Sequence, residues 1–359
     1  MAIGQTLYST AALMGVMRDN DAMTPPQSYW LDLAFPRIML FDEEYIDFGK
    51  ISSQRKIAPL VVPTAQGRPI YSDAERLARV KPAYVKPKDP VSASRMIQRA
   101  AGLGELNVNS NWSPQQRYNA IVADILREHR RAIERRWEWM AAQAIQFGTV
   151  TLEDEAYPRK VVDFERAANH SITLTGANAW GEAGVSILGS IETWKKRVRD
   201  ASFGGPTNRL TVGSEAWEVM REDEAIRELL KLDLRPYNNG VNLNLGVREG
   251  LDVERVGSIN GTTEIYVYSD YYHGADGSVV PFMDPRDVVL TGPNIQGVRA
   301  FGAIQDFDAN LQAMAMFPKM WRSDDPSATF IMTQSAPLMV PVNTNNTLRA
   351  RVIESSGRP

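Results

Sequence analysis

From Ser113 to Gly148 the chain reads SPQQRYNAIVADILREHRRAIERRWEWMAAQAIQFG, with no proline after Pro114 and no glycine before Gly148. Ser113 is a good N-cap, and Gln116 completes a capping box with it. Pro114 suits the first helical position, where its missing N–H would go unpaired anyway. Gly148 suits the left-handed residue just past a helix end. Residues 114–147 therefore predict a single helix about 50 Å long at ~1.5 Å per residue. That is longer than most helices in a compact domain, so the remaining chain must be laid along it. Tyr118, Val122, Ile125, His129, Ile133, Trp137, Met140, Ala144 and Phe147 recur at helical spacing and predict one packed face. The other face carries Arg127, Glu128, Arg130, Arg131, Glu134, Arg135 and Glu138. Glu134 and Glu138 can each reach an arginine one turn back. That face reads either as the solvated side of a core helix or as charge held ready for a neighbouring subunit, with Arg131 and Arg135 as the contact candidates.

The remaining sequence bounds the function by exclusion. The 359 residues suggest about two or three substructures. Hydrophobic content of 43%, charged content of 23% and a mean hydropathy of −0.30 describe an ordered chain able to fill a sizeable core. A net charge of −3 gives no overall attraction to nucleic acid or anionic membrane. Cysteine is absent, which excludes disulfides, thiolate metal sites and cysteine catalysis. No signal peptide and no apolar run of about 18 residues is visible, so no membrane role is expected and the expected setting is a cytoplasm.

Along the chain, residues 1–23 read as an arm that orders against something else. Thr24-Pro25-Pro26-Gln27 repeats the capping logic of the long helix, and a short helix is expected to follow through Trp30, Leu31 and Leu33 to Phe35, ended by Pro36. Arg37 to Lys50 reads as one apolar and aromatic strand, and Ala74 to Val80 as a short helix. Pro59, Pro63, Gly67, Pro69, Pro82, Pro87 and Pro90 punctuate the stretch up to residue 92. An excursion of ~50 residues is too long for an ordinary connection. It is either a small β subdomain or an arm reaching a neighbouring subunit, with Lys81, Lys86 and Lys88 as a basic cluster that is solvated or pairs with a partner. Met96 to Ala101 reads as a short helix before the Gly- and Asn-containing loop 102–111. Past Gly148, short strands are expected at Thr149–Leu152, Val161–Phe164 and Ser171–Thr175. Helices are expected at Val185–Arg199 and Glu215–Lys231, flanking a buried strand at Arg209–Val212. Beyond Val241 the pattern turns to antiparallel strands, with Asp276-Gly277 as a hairpin turn.

Catalytic signatures are missing. His129, His170 and His273 are the only histidines, and none has a second at metal-ligand spacing. His129 fits a satisfied core histidine. Gly102-Leu103-Gly104 lacks the third glycine of a dinucleotide fingerprint. Asp306-Phe307-Asp308 has donors for a cation, and Asp42, Glu43 and Glu44 could be drawn as a carboxylate pair. Such groupings arise by chance among 43 acidic residues. No cofactor is expected. The eight tryptophans, including Trp112 and Trp321, are expected to anchor cores and subunit contacts.

Two regions carry a resemblance. Within 297–342 stand Phe301-Gly302-Ala303-Ile304-Gln305-Asp306, Phe317-Pro318-Lys319-Met320-Trp321, Asp325-Pro326 and Gln334-Ser335-Ala336-Pro337-Leu338-Met339. In the long excursion stands Tyr84-Val85-Lys86-Pro87-Lys88. As an ordered set these resemble the lambda-type tailed-phage major capsid (head) proteins. The resemblance implies an α+β chain with the tailed-phage capsid (HK97-like) fold. Its implied parts are an N-terminal arm at 1–36, an E-loop β-hairpin at 37–92, a P domain at 93–175 built on the spine helix 114–147, an A domain at 176–297, and a closing P-domain segment at 298–359. It implies a non-enzymatic protein of the virion, assembled in the host cytoplasm into hexamers and pentamers of an icosahedral shell. The shell would hold double-stranded DNA without sequence-specific binding. Implied partners are further copies of the chain, a scaffold, a portal and a decoration protein in some heads. Covalent crosslinking is not expected, because no E-loop lysine, Lys50 and Lys56 included, can be matched to a crosslinking motif. The other readings are a cellular nanocompartment shell of the same fold and a cytoplasmic enzyme with a carboxylate site.

Overall fold

A computed structural model describes residues 7–19, 28–51, 75–91, 113–154, 157–233, 246–247, 253–259, 261–274, 276–323 and 328–354. The expectations for the cap at Thr24, the helix at Met96–Ala101, the loop 102–111, Trp112 and Lys56 fall outside them.

The long helix runs Pro114–Phe147 with both predicted ends in place. The backbone N–H of Gln116 donates to the Ser113 hydroxyl at 3.2 Å, and that of Ser113 donates to the Gln116 side chain at 2.8 Å. Gly148 takes a φ of +71°. Arg166 completes this terminus by donating to the carbonyls of Ile145 at 3.0 Å and Gln146 at 2.8 Å, a cation on the negative end of the helix. Burial pushes its guanidinium down to about 10. A Cβ on Gly148 would stand 2.6 Å from the Cβ of Arg166. Gly148→Ala therefore adds left-handed strain and displaces Arg166. We expect a loss of about 2 kcal/mol in a denaturant titration. An unchanged midpoint would show that this terminus tolerates ordinary backbone.

The packed face is the predicted one except at its end. Phe147 is 38% exposed and lies under the Arg349 guanidinium, 4.5 Å from the ring centroid. The charged face holds a larger departure, since Glu138 is buried. The short helix Trp30–Ala34 crosses the long helix there. Its first backbone N–H groups, which have no partner within so short a helix, donate to the Glu138 carboxylate.

Among the described residues, two cores form along this axis and another lies apart from it. The N-terminal half packs against the arm helix Thr10–Asp19 through Leu13 and Met17, with Ile331 beside them. The arm thus orders against the chain's own long helix. The C-terminal half forms the main core with Trp30, Phe35, Phe301 and Leu338, where Trp137 meets Phe301 edge-on with centroids 5.0 Å apart. A separate core holds the helices Ile187–Asp200 and Ser214–Glu222 against a seven-stranded sheet. That sheet runs in the order Ser171–Thr173, Thr347–Arg351, Asp287–Thr291, Arg209–Val212, Thr263–Tyr268, Val253–Ile259, Gly246–Val247. The closing stretch is therefore divided. Val298–Gly302 and Pro337–Val340 form a three-stranded sheet with Arg37–Phe41, while Thr347–Arg351 crosses into the seven-stranded one.

Three elements differ from expectation. Arg37–Lys50 is two strands, because the acidic turn 42–45 separates Arg37–Phe41 from Ile46–Ile51. Ala74–Val80 is no helix: Glu75–Val80 is a strand, paired antiparallel with Ile46–Ile51 from Ile46 opposite Val80 to Ile51 opposite Glu75. Cross-strand pairing outweighs a local helical tendency. Glu215–Lys231 is two helices, Ser214–Glu222 and Glu224–Asp233. Asp223 breaks them with an extended ψ of 125°, and its carboxylate accepts the Ile226 N–H at 3.0 Å to start the second.

Candidate functional site

Four of the five motifs that carry the resemblance meet in one place, and Asp325-Pro326 falls outside the described residues. The returning leg of the excursion docks as Lys88–Val91 on the sheet of Ala328–Gln334 and Phe317–Ser323. Just before it, Val85 and Ser335 exchange backbone hydrogen bonds of 2.9 and 3.0 Å. The Tyr84 hydroxyl donates to the Ala303 carbonyl and accepts from the Gln305 N–H at 3.1 Å. The Asp306 carboxylate accepts from Lys319 Nζ at 3.0 and 3.2 Å and from Gln334 Nε2 at 2.9 Å. Beneath lie the buried Ile304, Ala309, Phe317 and Ala336. The Asp306-Phe307-Asp308 run thus already holds a cation, the ammonium of Lys319, which stands 2.6 Å from Asp308. Burial opposes ionisation of Asp306, yet Lys319, the Asp308 N–H and Gln334 together hold its carboxyl below the ordinary range.

This junction secures the base of the hairpin formed by Ile46–Ile51 and Glu75–Val80. Lys81 pairs with Glu44, which also accepts from Gln305 Nε2 at 3.0 Å. Lys160 Nζ donates to the Lys81 carbonyl at 3.1 Å. Arg79 donates to Asp47 at 2.9 Å. His129 ties the long helix to the same sheet, with Nδ1 3.2 Å from the Thr333 hydroxyl and Nε2 3.0 Å from Asp89. It is the satisfied core histidine its position suggested, and desolvation pushes its pKa down.

The six predicted contact residues therefore divide. Lys81 is engaged within the chain. Lys86 lies over the Tyr84 ring at 4.7 Å, and Lys88 over Phe330 at 4.3 Å and Trp321 at 5.2 Å. Trp321 stacks on Phe330 at 5.8 Å. Arg131 pairs one turn back with Glu128 at 3.2 Å, both well exposed. Arg135 is exposed. Lys86, Lys88 and Trp321 thus lie at or beside the junction, while Arg131 and Arg135 stand apart on the helix surface.

Carboxylates drawn earlier as a catalytic pair have structural duties. Asp42 accepts the Ala313 N–H at 2.9 Å, Glu43 stands 3.7 Å from Arg79, and Glu44 holds Lys81. Among the described residues no cluster of three or more potential ligands could hold a metal ion, and no helix is long and apolar enough to cross a membrane. The polar residues that matter most inside the fold are Glu138, Arg166 and Asp287. Nothing local marked them, because each partner arrives from a distant segment.

The family described as phage major capsid protein E matches residues 9–352. The major capsid protein of Escherichia phage lambda is 28% identical over 339 residues, covering 93% of this chain and 96% of its own. The major capsid protein of Enterobacteria phage P21 is 27% identical over 338 residues, covering 93% and 96%. Among solved structures, a prophage capsid protein of E. coli CFT073 superimposes with a TM-score of 0.72 at 23% identity, covering 97% of this chain and 99% of its own.

Proposed function

This chain belongs to the phage major capsid protein E family, and from that premise we propose that its copies assemble as hexamers and pentamers into an icosahedral head around double-stranded DNA. It is a structural protein of the virion rather than an enzyme. The observation that carries the proposal is the near-complete overlap, in sequence and in fold, with phage capsid proteins.

In this reading the arm is 1–36, the E-loop 37–92, the P domain 93–175 with the closing segment, and the A domain 176–297. The antiparallel pair Ile46–Ile51 and Glu75–Val80 supports the E-loop, and its anchorage at the Asp306–Lys319 junction gives it a firm base. The A domain shares its sheet with Thr347–Arg351. A scaffold and a portal direct assembly in the host cytoplasm, and a decoration protein has the outer face available. The net charge of −3 suits a wall that must not hold its DNA. Curated relatives named for phage heads favour this reading over a nanocompartment.

Replacing residues 52–74 by an Asn-Gly turn shortens the hairpin without touching its anchored strands. The variant is expected to keep the wild-type unfolding transition and to lose shells in sedimentation. Shells at wild-type yield would rule out the E-loop as an assembly element.

A further inference from the structure

Phe307 is 88% exposed, the most exposed large apolar side chain among the described residues. It stands on a short turn that is held firmly. Asp306 beneath it is fixed by Lys319 and Gln334, and the Ile304 N–H donates to the Gln312 carbonyl across the turn at 3.0 Å. At the opposite end of the strand Val298–Gly302 lies an open groove of about 340 Å³. Leu33, Pro36 and Ile295 line it, with Arg37 and Gln296 at its rim. Beside the groove runs Arg37–Phe41, one edge strand of its sheet, with Ile38 60%, Met39 48% and Leu40 55% exposed. An open apolar edge of this kind is one that proteins ordinarily cover.

We propose that Phe307 of one copy seats in the groove beside Arg37 of the next, a head-to-tail contact that also covers the edge strand. The inference rests on the assembly reading above. Charge supports the match. Asp306 and Asp308 share one ammonium, Lys319, so the knob carries net negative charge. Arg37 on the groove donates to the Gln296 carbonyl at 2.8 Å, and no carboxylate among the described residues pairs with it. Backbone strain marks the same two places. Gln296, Asn310 and Leu311 hold left-handed φ values of 51°, 52° and 56°, and among the described residues the other non-glycine residues that do so are Glu165 and Phe203. Such conformations persist where the surroundings enforce them, often at functional surfaces. Seated head-to-tail, with the knob of each copy in the groove of the next, the contact is heterologous and runs from copy to copy, closing into a ring where the rotation between neighbours allows it.

The chain has no cysteine, which makes a disulfide trap clean. Assembled particles carrying both Phe307→Cys and Gln296→Cys, oxidised and run on a non-reducing gel, are expected to give a ladder extending past the dimer, while each single variant stays monomeric. Phe307→Ser is expected to leave the unfolding midpoint unchanged and reduce shell yield at least tenfold. Four results would overturn the contact: intact shells without crosslinks, a ladder stopping at the dimer, crosslinking by Phe307→Cys alone, or normal Phe307→Ser shells that only fail to bind a second head protein. If wild-type chains form no shells, the assembly reading fails first and the contact falls with it.

Discussion

Asp287→Ala is expected to lower the unfolding free energy by about 3–5 kcal/mol, the range for removing one partner of a buried ion pair. Asp287 is 0% exposed and lies on the central strand Asp287–Thr291. Arg349 Nε donates to it at 2.6 Å and Arg351 Nε at 3.0 Å, both from the neighbouring strand Thr347–Arg351. Asp284 adds a second carboxylate to Arg351 and is itself held by Arg286 at 3.0 Å. Without Asp287, Arg349 keeps only the Phe147 ring among its described contacts, and its charge is left largely buried. Asp287→Asn keeps one acceptor and should lose less than the alanine variant. Denaturant titration measures both. A loss under about 1 kcal/mol for Asp287→Ala would mean that the closing strand is held by its apolar side chains, Leu348 and Ala350, alone.

Glu138 should give the second large effect, and a pH dependence with a definite sign. Its carboxylate accepts the N–H groups of Tyr29 at 3.0 Å, Trp30 at 2.7 Å and Leu31 at 3.0 Å, all buried. Glu138→Ala leaves these donors unpaired, and a loss of roughly 3 kcal/mol or more is expected. Burial raises the Glu138 carboxyl from 4.5 to about 7, against the three donated hydrogen bonds that favour ionisation. Asp270 nearby pushes in the same direction as burial. Between those values the folded protein binds more protons than the unfolded chain, so this residue's contribution is full below about pH 4.5 and falls as pH rises through 7. The difference is on the order of 3 kcal/mol at ~1.4 kcal/mol per pH unit. Glu138→Gln removes the titration. The stability of the wild type relative to that variant should therefore decline across this window, and parallel profiles would show that Glu138 ionises normally in the folded state.

What could be read from the residues followed the range of the interactions involved. The long helix was legible because its cap, its stripe and its terminal glycine are local signals within 113–148. Glu75–Val80 was not, because the strand that makes it a strand lies across a hairpin at Ile46–Ile51. Glu138 sits where a helical wheel places solvent, and only the crossing of Trp30–Ala34 buries it. The motifs at Tyr84, Asp306, Lys319 and Gln334 carried the family resemblance as an ordered set. That they close on each other as one junction required the fold. Residue type and spacing could not reveal that Lys81, one of the six contact candidates, pairs with Glu44 within the chain.

Electron microscopy of the protein expressed alone and with its neighbouring head genes tests the central claim most directly. Uniform icosahedral shells, or tubes with a capsomer lattice, are the predicted result. Small soluble species under every condition, including those with a scaffold present, would contradict a shell-forming role for this chain.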